Sequence, residues 1–224
     1  MQSRVRRGGF FSDWRRVAAL AAVGGVLLAA LLILLLHLSQ PKQTVEEAPN
    51  PVATITMRDG KRMRFELYPK QAPNTVANFI SLANGGFYDG QQFFRVVAGV
   101  FIQGGDPNND GTGDPGYAIY GEFEENGFEN PISHMRGAIS MCRQSGYDTA
   151  GSQFFIMQGS YPEYDGSYAA FGSAADEASL AALDAIASEP TDSSYLPLTR
   201  QVISTIRVNT FEVDYPEPEK LERE

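Results

Sequence analysis

The sequence predicts a mainly β domain, an antiparallel sheet or barrel of short strands with two helices, preceded by one transmembrane helix. Three observations predict it. Many short apolar segments, several alternating with polar residues, are separated by glycine, proline and Asp/Asn clusters. Only two later stretches repeat apolar residues at helical spacing. One run, residues 17–36, carries neither charge nor proline.

That run comes first in the chain. Twenty helical residues rise about 30 Å, the thickness of a bilayer's hydrocarbon core. It is apolar all round, whereas a core helix is striped. A cleaved signal peptide is the rival reading, but its apolar region is shorter and ends in a small-residue cleavage site. Here His37-Leu38-Ser39-Gln40-Pro41 follows. The reading is therefore an uncleaved signal anchor over 17–38, behind a basic N-terminus, 1–16. Five arginines (Arg4, Arg6, Arg7, Arg15, Arg16) lie before the span and put the N-terminus in the cytoplasm. This is a single-pass cell-membrane protein with its domain outside; secretion after cleavage is the alternative.

Residues 39–51 are polar and proline-punctuated, and read as a linker. Residues 52–213 are long enough for one domain with a full core. Within it, 52–57 and 62–67 alternate around Asp59-Gly60, a hairpin signal. Pro73 opens a helix whose apolar face is Val76, Ala77, Phe79, Ile80 and Ala83, and Gly85-Gly86 stops it. Short strands follow near 93–97, 100–102, 138–141, 153–157 and 169–171. Residues 176–187 form the second helix, with Leu180, Leu183, Ile186 and Ala187 on one face, and 202–208 the last strand. The tail, 214–224, is charged and proline-broken and reads as flexible.

Charge divides the chain in the same way. The first 40 residues hold five arginines against Asp13, a net of +4. With −9 for all 224 residues, the remainder carries −13. Such a body is a poor partner for nucleic acid, whose affinity rests on neutralised phosphates. A single cysteine, Cys142, permits neither an internal disulfide nor a cysteine-based zinc site.

Several motifs resolve to ordinary structure. Asp106-Pro107-Asn108-Asn109-Asp110-Gly111 fits the first half of a calcium loop, but Tyr117 stands where the bidentate Glu belongs. A glycine-rich turn explains it, and no metal is expected. Ser140, Ser145 and Ser152 lie in no G-x-S-x-G, and nothing in the sequence ties His134 to a serine, so a hydrolase is disfavoured. Glu122, Glu124 and Glu125 read as a solvated acidic loop.

Two segments are more specific. FFRVVAGVFIQGGD (93–106) runs an Arg and a Gln out of an apolar strand pair into a Gly-Gly turn. AGSQFFI (150–156) puts Gln153 and Phe155 on one strand face and Phe154 and Ile156 on the other. By pattern alone, a barrel core with polar residues at its rim explains both equally well. In this order and spacing, however, the segments resemble the cyclophilin family of peptidyl-prolyl cis–trans isomerases, its bacterial branch best. APNTVANFISLANGGFYDG (72–90), GTGDPGY (111–117), YGEF (120–123), GAISM (137–141), DGSYAAFG (165–172) and PLTRQVISTIRV (197–208) extend the likeness over 52–208.

The resemblance implies an eight-stranded antiparallel β-barrel closed by two helices, with the site on its outer face and no cofactor. It implies that Arg95 donates to the twisted amide nitrogen and that Gln103 binds the substrate carbonyl and holds Arg95. Phe101, Phe155 and Tyr164 would take the proline ring, with Val100 at the edge and Tyr168 also among the substrate contacts. Gln153 would order the polar group, and Cys142 and Arg143 would pair with the substrate backbone. Four positions depart from common family residues: Phe94 and Tyr168, each for His; Val100 for Phe; and Glu163 for the Trp of cyclosporin-sensitive members. The last implies weak cyclosporin binding. Expected partners are unfolded or proline-containing polypeptides and, through the N-terminal helix, the lipid bilayer. The ectodomain is expected to be monomeric. The rival function is a membrane-tethered binding module for X–Pro segments with little turnover.

Overall fold

The computed structural model describes residues 48–222, and the predicted basic N-terminus and membrane span lie outside them. Among the described residues, no helix is long and apolar enough to cross a membrane. The chain divides between residues 42 and 43, and the barrel lies in the second unit.

β1 (Val52–Met57) and β2 (Arg62–Leu67) form the expected hairpin. Its turn needs Gly60, at φ 91°, a conformation in which a Cβ is strained. Alternation then buries Ala53, Ile55, Met63 and Phe65 on the inner face. The predicted linker ends two residues early. Pro51 is buried and its carbonyl accepts from Leu67 N, and Asn50 Nδ2 donates to Glu66.

α1 (Pro73–Asn84) packs Val76, Phe79, Ile80 and Ala83 into the core. Its N-cap residue, Ala72, has no side-chain acceptor, yet a helix start leaves N–H groups without partners. Glu122 supplies them from 48 residues away, accepting from Asn74 N at 2.9 Å and Thr75 N at 2.8 Å. Glu122 is thus a buried cap, which corrects its placement in a solvated acidic loop. Burial pushes its carboxyl up, against the pull of those N–H groups.

β3 (Gln92–Phe93), β4 (Arg95–Val97) and β5 (Phe101–Gly104) follow, then β6 (Ala138–Met141), β7 (Phe154–Met157) and β8 (Ala170–Ala174). α2 (Glu177–Ala187) is capped by Asp176, which accepts from Ser179 N. β9 (Gln201–Asn209) completes one antiparallel sheet, ordered β3-β9-β1-β2-β8-β6-β7-β5-β4.

The nine strands correct the expected eight. Residues 92–97 break at Phe94, so β3 pairs with β9 and β4 with β5. These are the two ends of the sheet order, so the break nearly closes the sheet into a barrel. Inside lie Phe65, Phe79, Tyr88, Phe93, Phe154 and Phe171, all fully buried.

The tail also differs from expectation. Ala118 and Leu221 exchange backbone hydrogen bonds, Asn74 binds Glu219 N and O, and Lys220 lies 4.7 Å from the Tyr117 ring centre. Proline and charge stop a helix here, but neither prevents an extended segment from pairing with the barrel.

Candidate active site on the outer face

Strand register builds the site. Arg95 lies opposite Gln103, Gln103 opposite Phe155, and Phe155 opposite Ser140. Partners across a ladder point to the same side, so these four form one row across β4, β5, β7 and β6. The row faces outward, because the neighbours Val96, Ile102, Phe154 and Ile156 fill the core. Phe155 joins Ala138 and Met157 in a second, smaller apolar cluster, packed by Phe101, Cys142, Tyr161, Tyr164 and Tyr168.

A cavity of about 340 Å³ opens beside this row. Its walls include Arg95, Phe101, Gln103, Cys142, Arg143, Gln153, Phe155, Tyr164 and Tyr168. The tenth expected residue, Val100, is not among them. It sits in the β4–β5 turn, where its carbonyl accepts from Gln158 N and Gly159 N. Gly111, Gly113, Asp114, Gln144 and Thr149 line the cavity without having been expected. Gly111, Gly113 and Asp114 come from the GTGDPGY segment and Gln144 and Thr149 from the loop after β6, and nothing in either stretch marks these residues as contacts.

A chain of amides orients Arg95. The carbonyls of Gly111 and Gly113 only accept, so Gln153 must turn Nε2 toward them, at 3.1 and 2.9 Å. Its Oε1 then accepts from Gln103 Nε2 at 3.0 Å. That leaves Gln103 Oε1 to accept from Arg95 Nη1 at 3.3 Å. A second stitch lies below, where Ser152 Oγ donates to the Gly105 carbonyl at 2.7 Å. A Cβ on Gly105 would stand 2.4 Å from Ser152 O, so only glycine permits this approach. The Gly-Gly turn and the Gly-Ser-Gln segment are thus two halves of one junction.

Arg143 is already engaged. Its guanidinium carbon lies 5.2 Å from the Phe123 ring centre, 5.2 Å from that of Tyr147 and 5.0 Å from that of Tyr168. Nε donates to Ser167 O at 2.9 Å and Nη1 to Gln144 O at 3.0 Å. The side chain therefore braces Tyr168 and the cavity rim. Burial pushes the Cys142 thiol up to about 12, against the pull of the Arg95 charge, so it is un-ionised at neutral pH.

One arrangement escaped the sequence. His134 sits between Asp165, 2.9 Å from Nδ1, and Ser140 Oγ, 3.0 Å from Nε2. This has the connectivity of a hydrolase triad. Ser140 and His134 are fully buried, however, so no substrate reaches the hydroxyl. The ring instead stacks on Phe155 at 5.8 Å and meets Tyr164 and Tyr168 edge-on. Burial, opposed by Asp165, holds the imidazole below its ordinary value and keeps it neutral. His134 is the floor on which the aromatic wall stands.

Asp106 accepts from the N–H groups of Asn108, Asp110 and Gly111. Its carboxylate is thereby used in closing the turn. Among the described residues, no cluster of His, Cys, Asp and Glu has metal-binding geometry.

Known proteins match this barrel along nearly its whole length. The family model described as "Cyclophilin type peptidyl-prolyl cis-trans isomerase/CLD" matches residues 52–208. Peptidyl-prolyl cis-trans isomerase B of Bacillus subtilis is 51% identical over 116 residues, 52% of this chain and 78% of that protein. A Helicobacter pylori peptidyl-prolyl cis-trans isomerase is 43% identical over 141 residues, 63% of this chain and 83% of that one. Peptidyl-prolyl cis-trans isomerase A of Mycobacterium tuberculosis is 34% identical over 183 residues, 74% of this chain and 97% of that one. A Cryptosporidium parvum cyclophilin-type isomerase, crystallised in the presence of the dipeptide Ala-Pro, superposes with a TM-score of 0.64. It is 30% identical and covers 70% of this chain and 98% of its own. With the family model matched from the first strand to the last, the chain belongs to the cyclophilin-type peptidyl-prolyl cis–trans isomerases.

Proposed function

We propose that the outer-face cavity binds an X–Pro segment and speeds its isomerisation by stabilising the twisted amide through Arg95. Resonance gives the peptide bond a rotation barrier of about 18–20 kcal/mol, and uncatalysed X–Pro exchange takes tens to hundreds of seconds. No bond is made or broken, so the catalyst has only to bind the twisted form better than either planar one. Twisting pyramidalises the proline nitrogen and frees its lone pair. A guanidinium donor beside that nitrogen then forms a hydrogen bond that the planar amide accepts poorly. A charge-assisted bond of about 1.5–3 kcal/mol corresponds to one to two decades in rate.

The observation that carries this reading is the outward row of Arg95, Gln103 and Phe155, set by register. It places an exposed cation, an amide and an aromatic wall side by side at one open cavity. Phe101, Phe155 and Tyr164 receive the proline ring. Gln103 takes the substrate carbonyl, and the backbone at Cys142 and Arg143 pairs with the chain before proline. The Ala-Pro dipeptide present with the crystallised Cryptosporidium relative supports a proline-containing ligand. In a peptide isomerisation assay, Arg95→Ala is expected to lower the rate at least tenfold while the fold holds. An unchanged rate would refute the role of Arg95.

The proposal includes a place of action. The uncharged run at 17–36 behind five arginines supports a single-pass anchor with the barrel outside the cytoplasmic membrane, where it would act on translocated chains. Carbonate extraction should leave the protein in the membrane pellet, and protease added outside should reach the barrel. Release of a soluble form lacking the first 38 residues would show secretion instead.

A further inference from the structure

The cation at the centre of the proposed mechanism is poorly fixed by its amide partner alone. Arg95 is exposed, and its contact with Gln103 is 3.3 Å, long for a charge-assisted hydrogen bond. A second restraint comes from the loop between α2 and β9.

Residues 191–197 form a self-closed turn. Thr191 bridges to Pro197, and Asp192 N donates to Leu196 O at 3.0 Å. The Asp192 carboxylate accepts from Ser194 N at 2.8 Å and Leu196 N at 3.0 Å. The turn holds Tyr195 at φ 63°, a left-handed conformation that is unfavourable for an aromatic residue. The Tyr195 carbonyl accepts from Val96 N at 2.8 Å, which docks the turn on the free edge of β4 beside Arg95. Its ring centre lies 5.9 Å from the Arg95 guanidinium carbon, and that of Phe101 lies 5.2 Å from the same atom.

Core packing does not explain this residue. Tyr195 is 48% exposed and belongs to neither apolar cluster. Nor does it line the cavity. Glycine would relieve the backbone strain at this position. Strain retained under a half-exposed ring that faces a functional cation is the kind found at sites where geometry matters more than local stability.

We infer that Tyr195 is a positioning residue: its ring, with that of Phe101, holds the Arg95 guanidinium in the orientation that meets the twisted amide. This rests on the role given to Arg95 above. The interaction is a cation–π contact, electrostatic and indifferent to the phenol hydroxyl.

The test uses the full-length protein, with isomerisation kinetics and thermal melting measured on the same samples. Tyr195→Gly should lower kcat about two- to fivefold, with KM within twofold. Its melting temperature should equal or exceed the wild-type value, because the strained position relaxes. Tyr195→Phe should restore the wild-type rate. In an Arg95→Ala background, Tyr195→Gly should change nothing further. Full kcat in Tyr195→Gly, or the same loss with Arg95 already absent, overturns the inference and leaves the role of Arg95 standing. A wild-type rate in Arg95→Ala overturns both.

Discussion

Phe154 and Phe155 are neighbours on β7, at 0% and 4% exposure, and they belong to different parts of the molecule. Phe154 points inward, with ring centres of Phe79, Tyr88 and Phe93 at 5.5 to 6.0 Å. Phe155 points outward onto Phe101, His134, Tyr164 and Tyr168, and its ring walls a cavity. The inner cluster is closed by the barrel and two helices. The outer one has aromatic walls, a buried histidine as floor and an open side. The same residue type in adjacent positions fills the closed core on one face and walls an open cavity on the other, and strand alternation alone separates them.

The largest effect should come from breaking that contrast directly. Phe154→Ala removes a fully packed ring and should cost about 3–5 kcal/mol of unfolding free energy in denaturant titrations. Phe155→Ala should cost less than half as much, because one side of its ring already faces a cavity. It should nonetheless lose most isomerisation activity. Equal stability losses from the two would erase the distinction between the faces.

The next effect sharpens the outer face. Gln153→Ala removes the amide that links the 111–113 carbonyls to Gln103. Arg95 then loses its aligned acceptor. The rate should fall about three- to tenfold, the equivalent of about 1 kcal/mol, with little change in melting temperature. A large loss of stability with full activity would make this relay purely structural.

A smaller effect concerns the floor. Burial, opposed by Asp165, keeps His134 below its ordinary 6.5, so protonating it costs the folded state more than the unfolded. The stability that follows is complete above pH 6.5 and is lost as pH falls through the depressed value. The melting temperature should therefore decline as pH drops below 6.5, and His134→Gln should flatten that slope. The same decline in the variant would assign it elsewhere. Smallest of all is the behaviour of Cys142. With its thiol at about 12, alkylation of the folded protein at pH 7 should be slow and should accelerate on unfolding.

What is legible in the sequence follows the range of the forces. The β1–β2 hairpin is local, since alternation and an Asp-Gly turn specify it within 16 residues. The inward and outward faces of β7 are likewise readable from period two. The roles of Arg95 and Gln103 come from resemblance, and the register then supplies their geometry. Long-range partners are not readable. Glu122 caps α1 across 48 residues, and Asp165 meets His134 across 31. The split at Phe94 depends on β9, over 100 residues further on, so by pattern 92–97 reads as one strand. The tail departs from expectation because composition reports helix-breaking, whereas its pairing with Ala118 is a tertiary event.

The central claim is that Arg95 acts on the twisted amide and contributes little to ground-state binding. One NMR experiment tests it, measuring exchange rate and dissociation constant for the same proline peptide with wild type and Arg95→Ala. The account predicts a rate at least tenfold lower, with the dissociation constant within about threefold. Equal losses in rate and binding, or no loss in rate, would contradict it.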